Sequence, residues 1–246
     1  MSNHPFERFG ISHLSPSSLN CWRASPGVWA LRYLSKIRDD GNAAMWRGSA
    51  VEAGMAALLR GAKLDEATTL ALQSFDLNSQ GDITGELGSE RDLIEPMLTE
   101  CLKWQAPSAL NATQLKIEHW FEHIPIPVIG YLDLAFDGID VDLKTTKACP
   151  SSPRPDHVRQ VSLYRASRER LGGLLYVTAK RHAYFPVDDD MMARGLSDLE
   201  SDALSLMNFL SRCDDRRAAI KSLPMDVDHF MFPKLKVPLA DVLAAG

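Results

Sequence analysis

Apolar residues recur at helical spacing through roughly the first hundred positions and at every second position soon after, so helices are expected to precede strands. Ser15 followed by Pro16 marks a helix start, and Pro26 interrupts the segment it opens. A second helix is predicted from near Trp46 to Gly61, with Val51, Met55, Leu58 and Leu59 as its apolar stripe. Glu52 stands on the flank of that stripe, one turn from Met55 and Ala56. Leu64 to Phe75 and Arg91 to Gln105 read as further helices, separated by a polar, glycine-rich loop from Asp76 to Glu90. From Thr113 the period changes: Leu115, Ile117 and Phe121 alternate with charged or aromatic residues, which is strand behaviour.

Two strands follow around Asp137-Gly138, a dipeptide typical of two-residue hairpin turns, and that turn sets their register. Phe136 then opposes Ile139, Leu134 opposes Val141 and Leu132 opposes Leu143, which makes one face wholly apolar. The other face sets Ala135 against Asp140, Asp133 against Asp142 and Tyr131 against Lys144. Opposed side chains lie about 5 Å apart at Cβ, where like charges destabilise a pair. Three explanations remain open for two aspartates beside a lysine. Lys144 can neutralise one acid, the hairpin can be exposed to water, or both carboxylates can hold a divalent cation.

Beyond the hairpin, Asp156 is the expected N-cap of a helix running to Gly172, with Gln160 and Tyr164 on one stripe. Leu174 to Val187 resembles a strand pair turning near Ala179 and Lys180. Met192, Leu196, Leu199, Ala203, Leu206 and Leu210 form the core stripe of a long helix from about Asp189 to Arg212. This order of elements predicts an α/β fold with one mixed central sheet flanked by helices. We expect a single domain over residues 1–246, with a helical insert at about 61–112 and a C-terminal helical extension from about 188.

No apolar run approaches the roughly 20 residues of a membrane span, and Glu7 and Arg8 interrupt any signal-peptide core, so a cytoplasmic location is the default. His119 and His123 share a strand face without a third ligand, which does not make a zinc site. The four cysteines, Cys21, Cys101, Cys149 and Cys213, form no C-x-x-C pair and read as buried free thiols. Net charge is -5, yet the stretch from Asp142 to His182 holds nine Lys or Arg against three acids and is +6, leaving -11 for the rest. A local basic field of this kind suits a phosphate backbone, because salt screens charges beyond about 10 Å.

Taken in order, Gly-Tyr-Leu-Asp at 130–133, Asp-Leu-Lys at 142–144 and the Gln160 to Tyr164 pair resemble the PD-(D/E)XK nuclease superfamily, in its RecB-like, phage-type exonuclease branch. The segments from Leu14 to Leu34 and from Arg47 to Met55 are similar to that branch's opening motifs, and the resemblance spans about Leu14 to Pro186. It implies a restriction-endonuclease-like fold and a Mg2+-dependent (or Mn2+-dependent) DNA exonuclease of phage replication or recombination and repair. By the same resemblance Glu52, Asp133, Asp142 and the backbone carbonyl of Leu143 would hold the metal. Lys144 would act on the attacking water or the scissile phosphate, and Gln160 and Tyr164 would support the site. Glu52 stands where many relatives carry histidine, and an oxygen ligand suits Mg2+. Arg159, Arg165, Arg168 and Arg170 are the expected grip on the DNA backbone. Ser25 replaces the cysteine that precedes the proline in iron-sulfur relatives, and Cys213 stands alone late in the chain, so no cluster is expected. A non-cleaving DNA-binding or recombination-partner module on the same fold is the alternative. A recombination or single-strand-binding partner and a homo-oligomer remain open.

Overall fold

The computed structural model describes residues 4–37, 41–80 and 86–228. It divides into two compact units. The first gathers residues 1–40, 118–130 and 193–246, and the second 41–117 and 131–192.

In the first unit lie helices α1 (Pro5–Arg8), α2 (Pro16–Ala24) and α3 (Pro26–Tyr33). Ser15 caps α2 in a reciprocal pair with Ser18, and Pro26 opens α3 at its first position, so each proline sits where its missing N–H costs nothing. Trp22 packs edge-on against Trp29 at 5.4 Å and at a tilt against Phe209 at 5.3 Å. Arg23 pairs with Asp202 at 2.8 Å and with Asp198 at 3.0 Å.

The second unit begins with α4 (Ala43–Leu59), α5 (Leu64–Asn78), α6 (Leu87–Arg91) and α7 (Ile94–Lys103). The expected loop from Asp76 to Glu90 is therefore helical at both flanks, and residues 81–85 fall outside the described residues. Gly54 lets α4 approach its neighbours: a Cβ there would lie 2.7 Å from the Leu98 side chain and 3.2 Å from the Ala67 carbonyl.

The sheet has five strands in the order β1 (Ala112–His119), β2 (Val128–Ala135), β3 (Ile139–Thr145), β4 (Leu171–Val177) and β5 (His182–Pro186). The β2–β3 and β4–β5 pairs are antiparallel, and β3 and β4 run parallel, joined through α8 (Pro155–Arg168). Helix α9 (Asp189–Ser211) and α10 (Arg216–Lys221) complete the described chain. This is the mixed sheet flanked by helices that the period change implied. Leu134, Phe136, Val141 and Leu143 bury one face of the hairpin against Val51, Met55, Ile94 and Met97. The whole of β4 after Leu171 is buried, as expected of a strand with a neighbour on each side and cover on both faces.

Two expected boundaries of α8 move. Its N-cap is Arg154, with Pro155 at the first helical position and Asp156 inside the first turn, where a carboxylate complements the helix dipole. It ends at Arg168 rather than Gly172, with Glu169 in the left-handed region (φ 52°), because Leu171 and Gly172 are drawn into the ladder opposite Ile139 and Asp140. Among the described residues no helix is long and apolar enough to cross a membrane.

Candidate active site

The hairpin takes the register set by its turn. Leu134 opposes Val141 and Ala135 opposes Asp140, Gly138 carries φ 74°, and the Phe136 amide donates to the Ile139 carbonyl at 3.0 Å. One step further along, Asp133 Oδ2 accepts the Leu143 amide proton at 2.8 Å, so a side chain acts as backbone acceptor where the two aspartates meet. Both are buried, Asp133 at 8% exposure and Asp142 at 0%, which removes the exposed-hairpin explanation.

Lys144 answers one of the two acids. Its Nζ lies 2.7 Å from Asp142 Oδ2 and donates to Gln160 Oε1 at 3.1 Å. Gln160 Nε2 in turn donates to the Tyr164 hydroxyl at 2.7 Å, and that hydroxyl donates to the Tyr131 carbonyl at 2.7 Å. The chain of donors ends on β2, so α8 locks the lysine against the strand pair. Burial lowers the affinity of Lys144 for its proton, but Asp142, Asp133 and Glu52 together more than reverse this, and the ammonium persists. Burial pushes the Tyr164 hydroxyl far up, and nearby Asp142 adds to the shift, which keeps it neutral.

Glu52 reaches the same place from α4. Its carboxylate accepts from Gln114 Nε2, and the same amide reaches Asp133 Oδ1 at 3.3 Å. Gln114 sits on β1 at φ 50°, an irregular position for a non-glycine residue, and nothing in the alternation of its strand singles it out. Glu52, Asp133 and Asp142 all have their carboxyls pushed up, each first by burial. For Asp133 the charges of Asp142 and Glu52 follow as further causes.

Among the described residues, Asp142 Oδ1 is buried without a hydrogen-bond partner, while Oδ2 meets only the Lys144 ammonium. Also among them, no three carboxylate, histidine or cysteine side chains already close around a point at metal-ligand spacing. The Gln114 amide between Glu52 and Asp133, and the Lys144 ammonium against Asp142, account for that spacing. The donor set nevertheless fits a hard divalent cation, being made of oxygens alone, with the buried Asp142 Oδ1 lacking a partner.

The arginines expected to grip DNA are engaged within the protein. Arg165 is buried, with its guanidinium on the Val187 carbonyl (2.8 Å), the Arg170 carbonyl (3.2 Å) and Asp189 (2.9 Å). Arg168 pairs with buried Asp140 at 2.7 Å, Arg170 donates to the Phe136 carbonyl at 3.0 Å, and Arg159 is also buried. Arg168 and Arg170 thus fasten the hairpin and Arg165 the segment after β5, rather than standing as a free row for phosphates, although Arg168 and Arg170 stay partly exposed. Charge counting sees the same sequence in both cases, because it carries no information on burial.

Two further groups escaped the sequence reading. Arg47 and Glu90, at 3% and 2% exposure, form a buried ion pair beside the end of β3, and Lys147 Nζ lies 2.6 Å from the other Glu90 oxygen. His157, on the first turn of α8, has Nδ1 2.8 Å from the Tyr176 hydroxyl. Burial, followed by the Lys144 charge, pushes its pKa down to about 4, so it is neutral beside the lysine at pH 7. His119 and His123 join no metal group among the described residues.

A sequence model of the PD-(D/E)XK nuclease superfamily matches residues 13–229. Among solved structures, a "Putative exonuclease" from Eubacterium rectale is similar at 13% identity with a TM-score of 0.55, covering 96% of this chain and 94% of that one. SSO0001 is similar at 21% identity with a TM-score of 0.31, over 39% of this chain and 50% of its own length. No curated protein sequence matches the chain significantly.

Proposed function

Since this chain belongs to the PD-(D/E)XK nuclease superfamily, we propose that it is a divalent-metal-dependent deoxyribonuclease acting as an exonuclease, with Mg2+ or Mn2+ as cofactor. A role in phage replication or in recombination and repair is part of the same reading. The observation that carries it is the convergence of Glu52, Asp133, Asp142 and Lys144 from α4, β2 and β3, with Asp142 fully buried and its Oδ1 without a hydrogen-bond partner. A purely structural cluster of two buried carboxylates and the half-buried Glu52 around one ammonium leaves negative charge uncompensated, and such charge is costly.

Glu52, Asp133, Asp142 and the Leu143 carbonyl would hold the ion, which supplies a Lewis acid that activates water and offsets charge on the phosphate. The chain's own residues do the rest. The Leu143 amide fixes the orientation of Asp133, and Gln114 fixes Glu52. Lys144 stays cationic, so it serves as an electrostatic donor to the charge developing on the phosphoryl oxygens rather than as the base. Gln160 and Tyr164 hold the ammonium in place through three hydrogen bonds in series that end on Tyr131.

Incubation of the purified protein with end-labelled linear and closed circular DNA, single and double stranded, tests the reading in Mg2+, Mn2+ and EDTA. Release of short products from linear DNA in either metal, with closed circles spared, is expected. Absence of cleavage of every substrate in both metals would sink it.

A further inference from the structure

Beyond the C-terminal ends of β3 and β4 lies an open cleft of about 610 Å3, within the 300–1,000 Å3 typical of small-ligand sites. The two strands are the parallel pair of the sheet. Their ladder ends at Thr145 opposite Val177, and the Thr146 amide donates to the Val177 carbonyl at 3.0 Å. In open α/β sheets, ligands collect outside the carboxyl ends of such strands. Leu93, Met97 and Ala179 supply an apolar wall, while Lys147, Lys180 and Arg181 bring positive charge, and among the described residues no carboxylate lines the cleft.

We propose that this cleft is a nucleotide subsite that receives one nucleotide of the substrate strand, with its base on the apolar wall and its phosphate on Lys180 and Arg181. The inference rests on the nuclease reading above. Lys147 is already committed to Glu90 at 2.6 Å, whereas Lys180 has no acidic partner among the described residues. The turn that presents the two cations is prebuilt. Buried Thr178 accepts from the Lys180 amide (3.2 Å) and the Arg181 amide (3.0 Å) and donates to the Arg181 carbonyl (2.8 Å). Arg181 Nη2 donates to the Cys149 carbonyl at 2.9 Å, which orients the guanidinium while leaving other donors for a phosphate.

Thr146 Oγ1, on a residue lining the cleft, is buried and has no hydrogen-bond partner among the described residues. An inorganic anion would leave the apolar wall unused, and an apolar ligand would leave the cations unused. A base carrying a phosphate uses both. Thr146 is two residues beyond Lys144, about 7 Å along an extended chain, which is a short step from the proposed scissile phosphate.

The test is fluorescence anisotropy of a labelled single-stranded 12-mer in EDTA from 50 to 200 mM NaCl, with unlabelled dAMP as competitor. Wild type is compared with Lys180→Gln/Arg181→Gln and with Ala148→Phe, which narrows the cleft from an exposed position without removing charge. Circular dichroism verifies that both variants are folded. The charge variant is expected to lose about tenfold or more in affinity, with a salt slope shallower by about 0.7 per lost phosphate contact. The narrowed variant is expected to lose affinity at unchanged slope, and dAMP to compete only at far higher concentration than the oligonucleotide. Wild-type affinity in both variants overturns the subsite, as does an effect on dAMP binding with none on the 12-mer. Cleavage by the wild type in Mg2+ or Mn2+ separates the two claims: a protein that cleaves while its variants bind normally keeps the nuclease reading and loses only the subsite.

Discussion

Asp133→Asn is expected to make the metal-free protein more stable while abolishing cleavage. The Asp133 carboxyl is pushed well above its ordinary range of about 3.8, first by burial and then by the charges of Asp142 and Glu52, and the opposing pull of Lys144 and the Leu143 amide does not compensate. Two like charges about 5 Å apart repel by about 3 kcal/mol at an effective dielectric near 20. Asn retains an oxygen for the Leu143 amide, and Lys144 retains Asp142 at 2.7 Å, so the losses are smaller than the relief. A net gain of about 1–2 kcal/mol at pH 7.5 in EDTA follows, which is about 2–8 °C in Tm for a chain of this size. The sign depends on pH. Because the folded-state pKa lies above the unfolded one, wild-type stability falls as pH rises from about 4 through the raised value, and the variant lacks this titration. The gap between the two proteins should therefore be negligible below pH 4 and widen toward neutrality. Adding Mg2+ or Mn2+ should raise the wild-type Tm and leave the variant nearly unchanged. Scanning calorimetry from pH 4 to 8, with and without metal, measures all of this. A variant less stable than wild type at pH 7.5 in EDTA, or one that cleaves DNA at the full rate, would refute the reasoning.

Lys144→Ala should lower single-turnover cleavage by about 10²–10³-fold while calorimetric Mg2+ affinity changes little, since the lysine is proposed to act on the phosphate and not to hold the ion. Glu52→Gln should weaken metal binding and cleavage, and Glu52→His should retain some activity with its preference moved toward Mn2+, as measured by metal titration of the cleavage rate. Arg168→Ala leaves fully buried Asp140 without its cation, so a loss of about 3 kcal/mol in urea unfolding is expected, with the salt slope of DNA binding unaltered. A shallower slope without loss of stability would return Arg168 to the DNA-binding surface.

The hairpin was legible in the sequence because its determinants are local. A glycine at the turn and a period of two set which residues face each other, and Leu134 opposite Val141 follows from them alone. The opposition of Asp133 and Asp142 was legible for the same reason, as was the helical pairing of Gln160 with Tyr164. What the local pattern does not contain is which distant groups arrive. Gln114 comes from β1 and Glu52 from α4, and only packing brings the amide of one onto the carboxylate of the other. The α8 arginines show the same limit. Their charge is read directly from the sequence, but whether a guanidinium meets water or a buried carbonyl depends on strands elsewhere in the chain. Arg165 on Val187 and Arg168 on Asp140 are outcomes of tertiary structure. Periodicity determines a residue's face on its own element, whereas its partner across space is set by how complementary surfaces exclude water when they close.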